Sequence, residues 1–196
     1  QANGCDVIGM DYDVQKLRLA KNFGAQAVNL SSEDAVEQAF LFSQGHGVDA
    51  VLIATSTSSS APIDQATAMC RQRGRIVLIG TANLNFKRDS LYKKEITFQV
   101  SCSFGPGRYD QNYEEKGLDF PYGLVRWTEH RNFQAVLQLM ADKKLNVSDL
   151  ITHRYDFLSA TRAYKLLSNK SKFSIGVLLT YDTSVDLSER HQKTVQ

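Results

Sequence analysis

A chain of 196 residues is long enough for one domain with a tail, and near that length about 70% of the unfolded surface can be buried, so a core needs no staples. Hydrophobic residues at 42% and charged residues at 22% fit a globular protein and exclude a disordered one. The 23 basic and 21 acidic residues leave a formal net charge of +2, which gives no electrostatic footprint for nucleic acid or an anionic membrane.

The first element is a short apolar run, Val7-Ile8-Gly9-Met10, closing on Asp11, and it reads as a buried strand over residues 5–10. Asp13 caps a following helix with Leu17, Ala20 and Gly24 on one face. A strand around Ala27-Val28-Asn29 and a helix start at Ser31-Ser32-Glu33-Asp34 come next. Val36, Ala39 and Phe40 give that helix its apolar stripe, and Gly45-His46-Gly47 breaks it. Val48 to Ala54 is almost unbroken apolar sequence, as expected of a strand covered on both faces. A Ser/Thr loop from Thr55 to Ser60 then leads into a helix through about Arg71. Gly74 ends it, and Arg75 to Gly80 reads as another strand buried on two sides. A further strand spans Ile96 to Cys102. Strands alternating with helices of this length indicate a parallel sheet built from crossovers.

After Ser103 the rhythm changes. Residues 104–127 carry Phe104, Tyr109, Tyr113, Phe120, Tyr122 and Trp127 among glycines, prolines and charges, which predicts an ordered loop excursion. Phe133, Val136, Leu137 and Met140 then fall at i, i+3, i+4 and i+7, an amphipathic helix. Ala160, Ala163, Tyr164 and Leu167 repeat that spacing, and Phe173 to Leu179 is a last apolar strand. Residues 182–196 are polar and poorly patterned, and read as a linker or tail after a domain spanning residues 1–181.

No run approaches the roughly 18 apolar residues of a membrane span, and the first residues have neither the basic nor the apolar region of a secretory signal. The chain begins without Met, so a processed end or a cut through a longer protein is expected. Cys5, Cys70 and Cys102 are odd in number and far apart, so the expectation is buried thiols in a reducing cytoplasm, with no disulfide frame or zinc knuckle.

In a doubly wound sheet, ligands gather beyond the carboxyl ends of the strands. Asp11 closes the first strand, where a carboxylate can accept from both hydroxyls of an adenosine ribose and would repel a 2′-phosphate; it serves equally well as a turn or cap residue. Lys16, one turn on, reaches the same edge, although alone it reads as a solvated lysine. Thr55-Ser56-Thr57 follows the strand at 48–54. Its hydroxyls suit a flat ring, or simply an ordinary Ser/Thr loop. Gly80-Thr81 offers either close backbone contact with a ligand or only the chain turn.

No Gly-x-Gly-x-x-Gly turn precedes Asp11, where a dinucleotide fold places one about 20 residues upstream, and Gly105-Pro106-Gly107 is no substitute. His46, His130, His153 and His191 lack metal-ligand spacing, and His153 reads as a packed structural histidine. No residue is assigned a catalytic role and no metal site is found.

Together these segments resemble the cofactor-binding half of a medium-chain dehydrogenase/reductase, the zinc-type alcohol dehydrogenase superfamily. The likeness is carried by Val7 to Asp11 with Lys16 to Ala25, by Val48 to Thr55, by Arg73 to Gly80, and by Leu150 to Tyr155 with Ala163-Tyr164. It covers residues 3–181. The implied fold is α/β, a doubly wound parallel sheet (Rossmann-like) lacking its first strand and glycine-rich turn. The implied cofactor is NAD(H) or NADP(H), NAD favoured. Asp11 and Lys16 would lie at the adenosine ribose and Thr55, Gly80 and Thr81 along the nicotinamide side, with Tyr12 and Ser56 in the same cofactor-binding set. No zinc is expected on this chain, because the N-terminal substrate domain that holds the zinc ligands in zinc-using members is missing.

A narrower likeness rests on Phe104 to Asp110 and Gly123 to Glu129. It resembles bacterial two-module oxidoreductases, in which a dehydrogenase-like half precedes a glucose-fructose oxidoreductase/inositol dehydrogenase-like half. Residues Arg108, Tyr109 and Arg126 then fall on the substrate side or at an interface. The implied partners are a sugar or polyol substrate, the missing N-terminal domain and further copies in a homo-oligomer, with no nucleic acid and no membrane. In the strand order 3-2-1-4-5-6 the absent strand is central, so a gap is expected between the strands at 5–10 and 48–54, filled by a neighbouring chain or a rearranged segment unless the protein was cleaved after folding. Cofactor affinity of the fragment should be weak. The competing reading is a non-catalytic assembly module using residues 96–130 as its surface; a methyltransferase-like nucleotide binder is disfavoured by the crossover series.

Overall fold

The computed structural model describes residues 1–169 and 171–182. The tail expected over 182–196 falls, after Asp182, outside the described residues, as does His191. Two compact units are present, Gln1–Leu145 and a smaller one beginning at Asn146. Every strand pair in both is parallel.

In the larger unit, β1 (Ile8–Asp11) and β2 (Gln26–Asn29) pair in register, Ile8 opposite Gln26 and Asp11 opposite Asn29. Helix α1 (Val14–Asn22) connects them. Its start is set by Asp13, whose carboxylate accepts the Gln15 amide at 2.8 Å. Its end is a Schellman turn: Gly24 at φ +85° donates to the Lys21 carbonyl and Ala25 to that of Ala20. Leu17 is the buried anchor of the helix, and Ala20 packs on Gly9, where a Cβ would lie 3.3 Å from its own. Helix α2 (Ala35–Phe42) starts on Asp34, which accepts from Val36 and Glu37, and it buries Ala35 and Ala39.

Strands β3 (Val48–Ile53), β4 (Cys70–Leu78) and β5 (Thr97–Val100) form a sheet in that order. Ala50–Ile53 is in register with Arg75–Leu78. Helix α3 (Ala61–Met69) ends two residues short of the sequence expectation, because Cys70 already has extended dihedrals and pairs with Val48. The register then shifts through Arg73 at φ +59° and the buried Gly74. The core joins one face of this sheet to α2 and α3: Ala35, Ala39, Ile53, Ile63, Ala66, Met69, Cys70, Ile76 and Leu78, with Met10 of β1 packed against it.

The expectation that β3 and β4 are covered on both faces does not hold among the described residues of this unit. Asp49, Ala50 and Leu52 of β3 are exposed, Leu52 at 65%, and Ile79 beyond β4 is exposed as well. Among the described residues β1 pairs only with β2, and β3 only with β4. The cysteines also differ from expectation. Cys70 is buried, whereas Cys5 and Cys102 are exposed, since neither belongs to an element that packs into the core.

Helix α4 (Arg88–Lys94) leads into β5. The excursion after Ser103 is ordered, as its aromatics predicted, around the four-residue α5 (Gln111–Glu114) and the start of α6 (Glu129–Ala141). Phe104 contacts Phe133, Tyr113 stacks on Phe120, the Tyr113 hydroxyl accepts the His130 amide, and Asn132 donates to the Phe104 carbonyl. Gly105 and Gly107 have φ of +107° and +112° and lie against Asn132 and Tyr113, so the Gly-Pro-Gly turn serves this packing. Helix α6 forms as predicted, yet Phe133, Val136, Leu137 and Met140 of its apolar stripe are all exposed.

The smaller unit pairs β6 (Ile151–Asp156) with β7 (Gly176–Thr180) around α7 (Ala160–Leu167). The last strand begins at Gly176 instead of Phe173. Helix α7 buries Ala163 and Leu166 and exposes Tyr164 and Leu167, a face rotated from the one expected. His153 stands in β6, its Nδ1 3.0 Å from the Thr152 hydroxyl and its ring stacked beside Tyr155. Among the described residues no helix is long and apolar enough to cross a membrane.

Candidate functional site

The residues singled out in the sequence form three groups in the larger unit. The first is at the carboxyl end of β1. Asp11 is its last residue; Oδ1 accepts the Asp13 amide at 2.9 Å, and Oδ2 lies 3.5 Å from Lys16 Nζ. One carboxylate oxygen is thereby fixed by the turn. The other remains half-exposed beside a cation, with lone pairs to spare for hydroxyl donors. Tyr12, next in the chain, has an exposed ring.

The second group closes the ends of β3 and β4. Ile79 and Gly80 both donate to the Ile53 carbonyl, Thr81 donates to Thr55, and Thr57 to Thr81. Ser56 and Thr81 form a parallel bridge, and their hydroxyls lie 2.8 Å apart. A Cβ on Gly80 would sit 2.0 Å from the Thr55 carbonyl oxygen. The close approach of the two strand ends requires glycine at position 80. What faces solvent is a pair of adjacent hydroxyls on a backbone shelf fixed on both sides. Thr55, Ser56, Gly80 and Thr81 are brought together here, and no hydrogen bond or ion pair joins them to Asp11 and Lys16.

The third group lies in the excursion. Arg108 is paired with the Glu114 carboxylate, its guanidinium 4.4 Å over the Tyr109 ring, and the hydrogen bond to Glu114 raises its already high pKa. Arg126 belongs to a separate cluster, between Trp127 at 4.0 Å and Tyr122 at 4.6 Å. Sequence reasoning missed Arg131, which reaches Asp119 at 2.6 Å and the carbonyls of Phe120 and Val125 and so ties residues 119–125 to α6. Among the described residues no group of three or more His, Cys, Asp or Glu is placed to hold a metal ion.

Compared with known families, residues 1–120 match the zinc-binding dehydrogenase family. The chain belongs to that family. Its Rossmann-like arrangement of parallel strands is shared with the alcohol dehydrogenase TADH from Thermus sp. ATN1, at a TM-score of 0.68 and 23% identity over 90% of this chain and 44% of that one. A second solved structure, the rspB alcohol dehydrogenase of Escherichia coli complexed with the cofactor NADH, gives a TM-score of 0.66 and 22% identity over 91% of this chain and 45% of that one. The sorbitol dehydrogenase of Halalkalibacterium halodurans is 25% identical over 178 residues, 89% of this chain and 44% of that relative. This zinc-binding dehydrogenase chain therefore spans about half the length of the relatives it matches.

Proposed function

We propose that this chain supplies the cofactor-facing part of an alcohol or polyol dehydrogenase, a protein that moves hydride between a carbinol carbon and a nicotinamide. The nicotinamide, when bound, takes up or returns the hydride. The residues of this chain do the holding. Asp11, anchored through the Asp13 amide, offers its second oxygen to ribose hydroxyls, with Lys16 beside it. A carboxylate there disfavours a 2′-phosphate, which supports NAD over NADP. The Ser56–Thr81 hydroxyl pair, on its fixed shelf with Thr55 and Gly80, presents hydrogen-bonding groups to a flat polar ring. The polyol substrate class is supported by the name of the Halalkalibacterium relative. The two-module organisation and the reading of residues 1–181 as one cofactor-binding domain rest on the sequence likeness alone, and a reducing cytoplasm is supported by three free thiols.

The observation that carries this reading is the carboxylate of Asp11, held at the end of a parallel strand with one oxygen free. It is tested by titrating NADH and NADPH into the ¹⁵N-labelled chain and following the amides of Asp11 to Asp13. NADH should perturb them at affinities near about 1 mM, the weak limit of binding, and Asp11→Ala should abolish the perturbation. Equal perturbation by both cofactors, or an unaffected Asp11→Ala variant, removes the reading.

A second reading, association into oligomers, is favoured by the exposed stripe Phe133, Val136, Leu137 and Met140 on α6. The unpaired edges of β1 and β3 likewise fit an additional strand supplied from another chain or segment. Analytical ultracentrifugation of the chain and of a Leu137→Glu variant tests the first of these: a monomer at every concentration discards it.

A further inference from the structure

We infer that the groove beside α6 is a binding site for a carboxylate carried on a small polyhydroxylated body, with Arg126 as the group that takes the anion. The groove is an open depression of about 770 Å³ bordered by Tyr122, Arg126, Trp127, Arg131, Gln134 and Gln138, with alanine and leucine side chains of α6 completing it.

Its two guanidiniums are not equivalent. Arg131 is only 15% exposed, and its charge is met by Asp119 at 2.6 Å and by two backbone carbonyls. Among the described residues Arg126 has no carboxylate partner. Its guanidinium carbon lies 4.0 Å from the Trp127 ring centre and 4.6 Å from that of Tyr122. Stacking of this kind restrains the guanidinium plane and leaves its in-plane N–H groups for an acceptor, the geometry that matches the two oxygens of a carboxylate. Because Arg131 also lies 5.1 Å from Tyr122 and ties down residues 119–125, the clamp is organised before any ligand arrives. One uncompensated positive charge suits a monoanion better than a phosphate dianion.

The remaining polar groups choose the body of the ligand. Gln134 Nε2 is engaged with the His130 ring and Gln138 Nε2 with the Asp142 carboxylate at 2.7 Å. Each of these exposed amides therefore keeps its carbonyl oxygen as an acceptor that a ligand hydroxyl can meet in place of water. Hydroxyl groups supply that donor, while Ala135, Leu137 and Ala141 offer apolar surface to C–H faces. A uronate or aldonate combines these features. This site shares no residue with the proposed cofactor-facing set, so the two can fail separately.

Trp127 is the one tryptophan in the sequence, so its emission reports on this groove alone. The full chain is titrated with glucuronate, glucose and glucose 6-phosphate, following Trp127 emission together with saturation-transfer NMR of the added sugar, which detects binding even where emission is silent. Glucuronate should bind saturably and at least about tenfold more tightly than either comparison compound, a difference of about 1.4 kcal/mol, because glucose lacks the anion and glucose 6-phosphate brings a dianion to a single free guanidinium. Arg126→Gln should abolish that binding. Arg126→Lys, which keeps the charge and loses the planar fork, should weaken it about tenfold with its thermal unfolding midpoint unchanged. Absence of glucuronate binding by both readouts, equal binding of glucose or glucose 6-phosphate, or full binding by a folded Arg126→Lys variant each overturns the inference.

Discussion

The ammonium of Lys94 donates to the carbonyl of Cys70 at 2.8 Å, and to those of Thr67 and Ala68 at 3.0 and 2.7 Å. Three acceptors at the end of α3 are thereby met by one side chain from α4, which also places positive charge at the negative end of the helix. Lys94→Met keeps the stem and removes all three donors. It should lower the unfolding free energy by about 1–3 kcal/mol, read from urea denaturation, because half-buried carbonyls lose their partner. Lys93→Met is the control: Lys93 pairs with Asp89 on the exposed side of the same helix, and its loss should cost less than about 0.5 kcal/mol.

Beneath that clasp, burial pushes the Cys70 thiol above its ordinary pKa, against the opposing pull of Lys94 and Arg71. Between the unfolded and the folded pKa the native chain holds more protons than the unfolded one, so stability falls as pH rises through that interval. The contribution is complete below about pH 8.5, the ordinary thiol value, and declines on the alkaline side. Cys70→Ala should flatten the alkaline limb of a stability–pH curve. In the native chain an aromatic disulfide reagent should modify two thiols quickly, Cys5 and Cys102, and the third only under unfolding conditions.

The alternation of strands and helices was legible because it is local: Asp13 caps its helix as expected, the helix start expected over Ser31 to Asp34 falls on Asp34, and the runs at Val48 to Ala54 and Arg75 to Gly80 contain strand residues 48–53 and 75–78. Coverage was not legible. An apolar run such as Val51-Leu52-Ile53 predicts burial on both sides, yet what lies over Leu52 depends on elements that sequence periodicity does not name. The same holds for α6, whose spacing is helical and whose stripe is nonetheless exposed. At the candidate site, the strand-end position of Asp11 was legible, and its carboxylate makes the turn bond to the Asp13 amide that was one of its two readings. Arg131 and Lys94 were missed because their partners are distant backbone carbonyls, to which no residue pattern points.

Two helix starts make a paired prediction. The Asp34 carboxylate accepts from the amides of Val36 and Glu37, so Asp34→Ala should cost about 1 kcal/mol. Thr128 occupies the equivalent position of α6, but its fully buried hydroxyl makes no capping bond and has no hydrogen-bond partner. Thr128→Val keeps the shape and removes a buried hydroxyl, so it should leave stability unchanged or raise it by up to about 1 kcal/mol. Equal losses at both positions in thermal or urea unfolding would contradict this difference.

Gly80 is where fold and candidate site constrain each other most tightly. Its amide and that of Ile79 share the Ile53 carbonyl, and a methyl group added at its Cα would come within 2.0 Å of the Thr55 carbonyl oxygen. Backbone on both sides of the contact belongs to strand ends already fixed by Thr81-to-Thr55 and Thr57-to-Thr81 hydrogen bonds, so no flexible side chain can yield. Gly80→Ala must push the ends of β3 and β4 apart, at a cost of roughly 3 kcal/mol. The same displacement separates the Ser56 and Thr81 hydroxyls from their 2.8 Å contact, so the amide signals of both residues should move even where the variant remains folded. Gly123→Ala, at a glycine with ordinary φ and nothing within 4 Å of the added carbon, should change stability by less than about 0.5 kcal/mol and leave those signals in place. If the two substitutions are equally mild, the close approach of Gly80 to Thr55 is not what seats the Ser56–Thr81 pair.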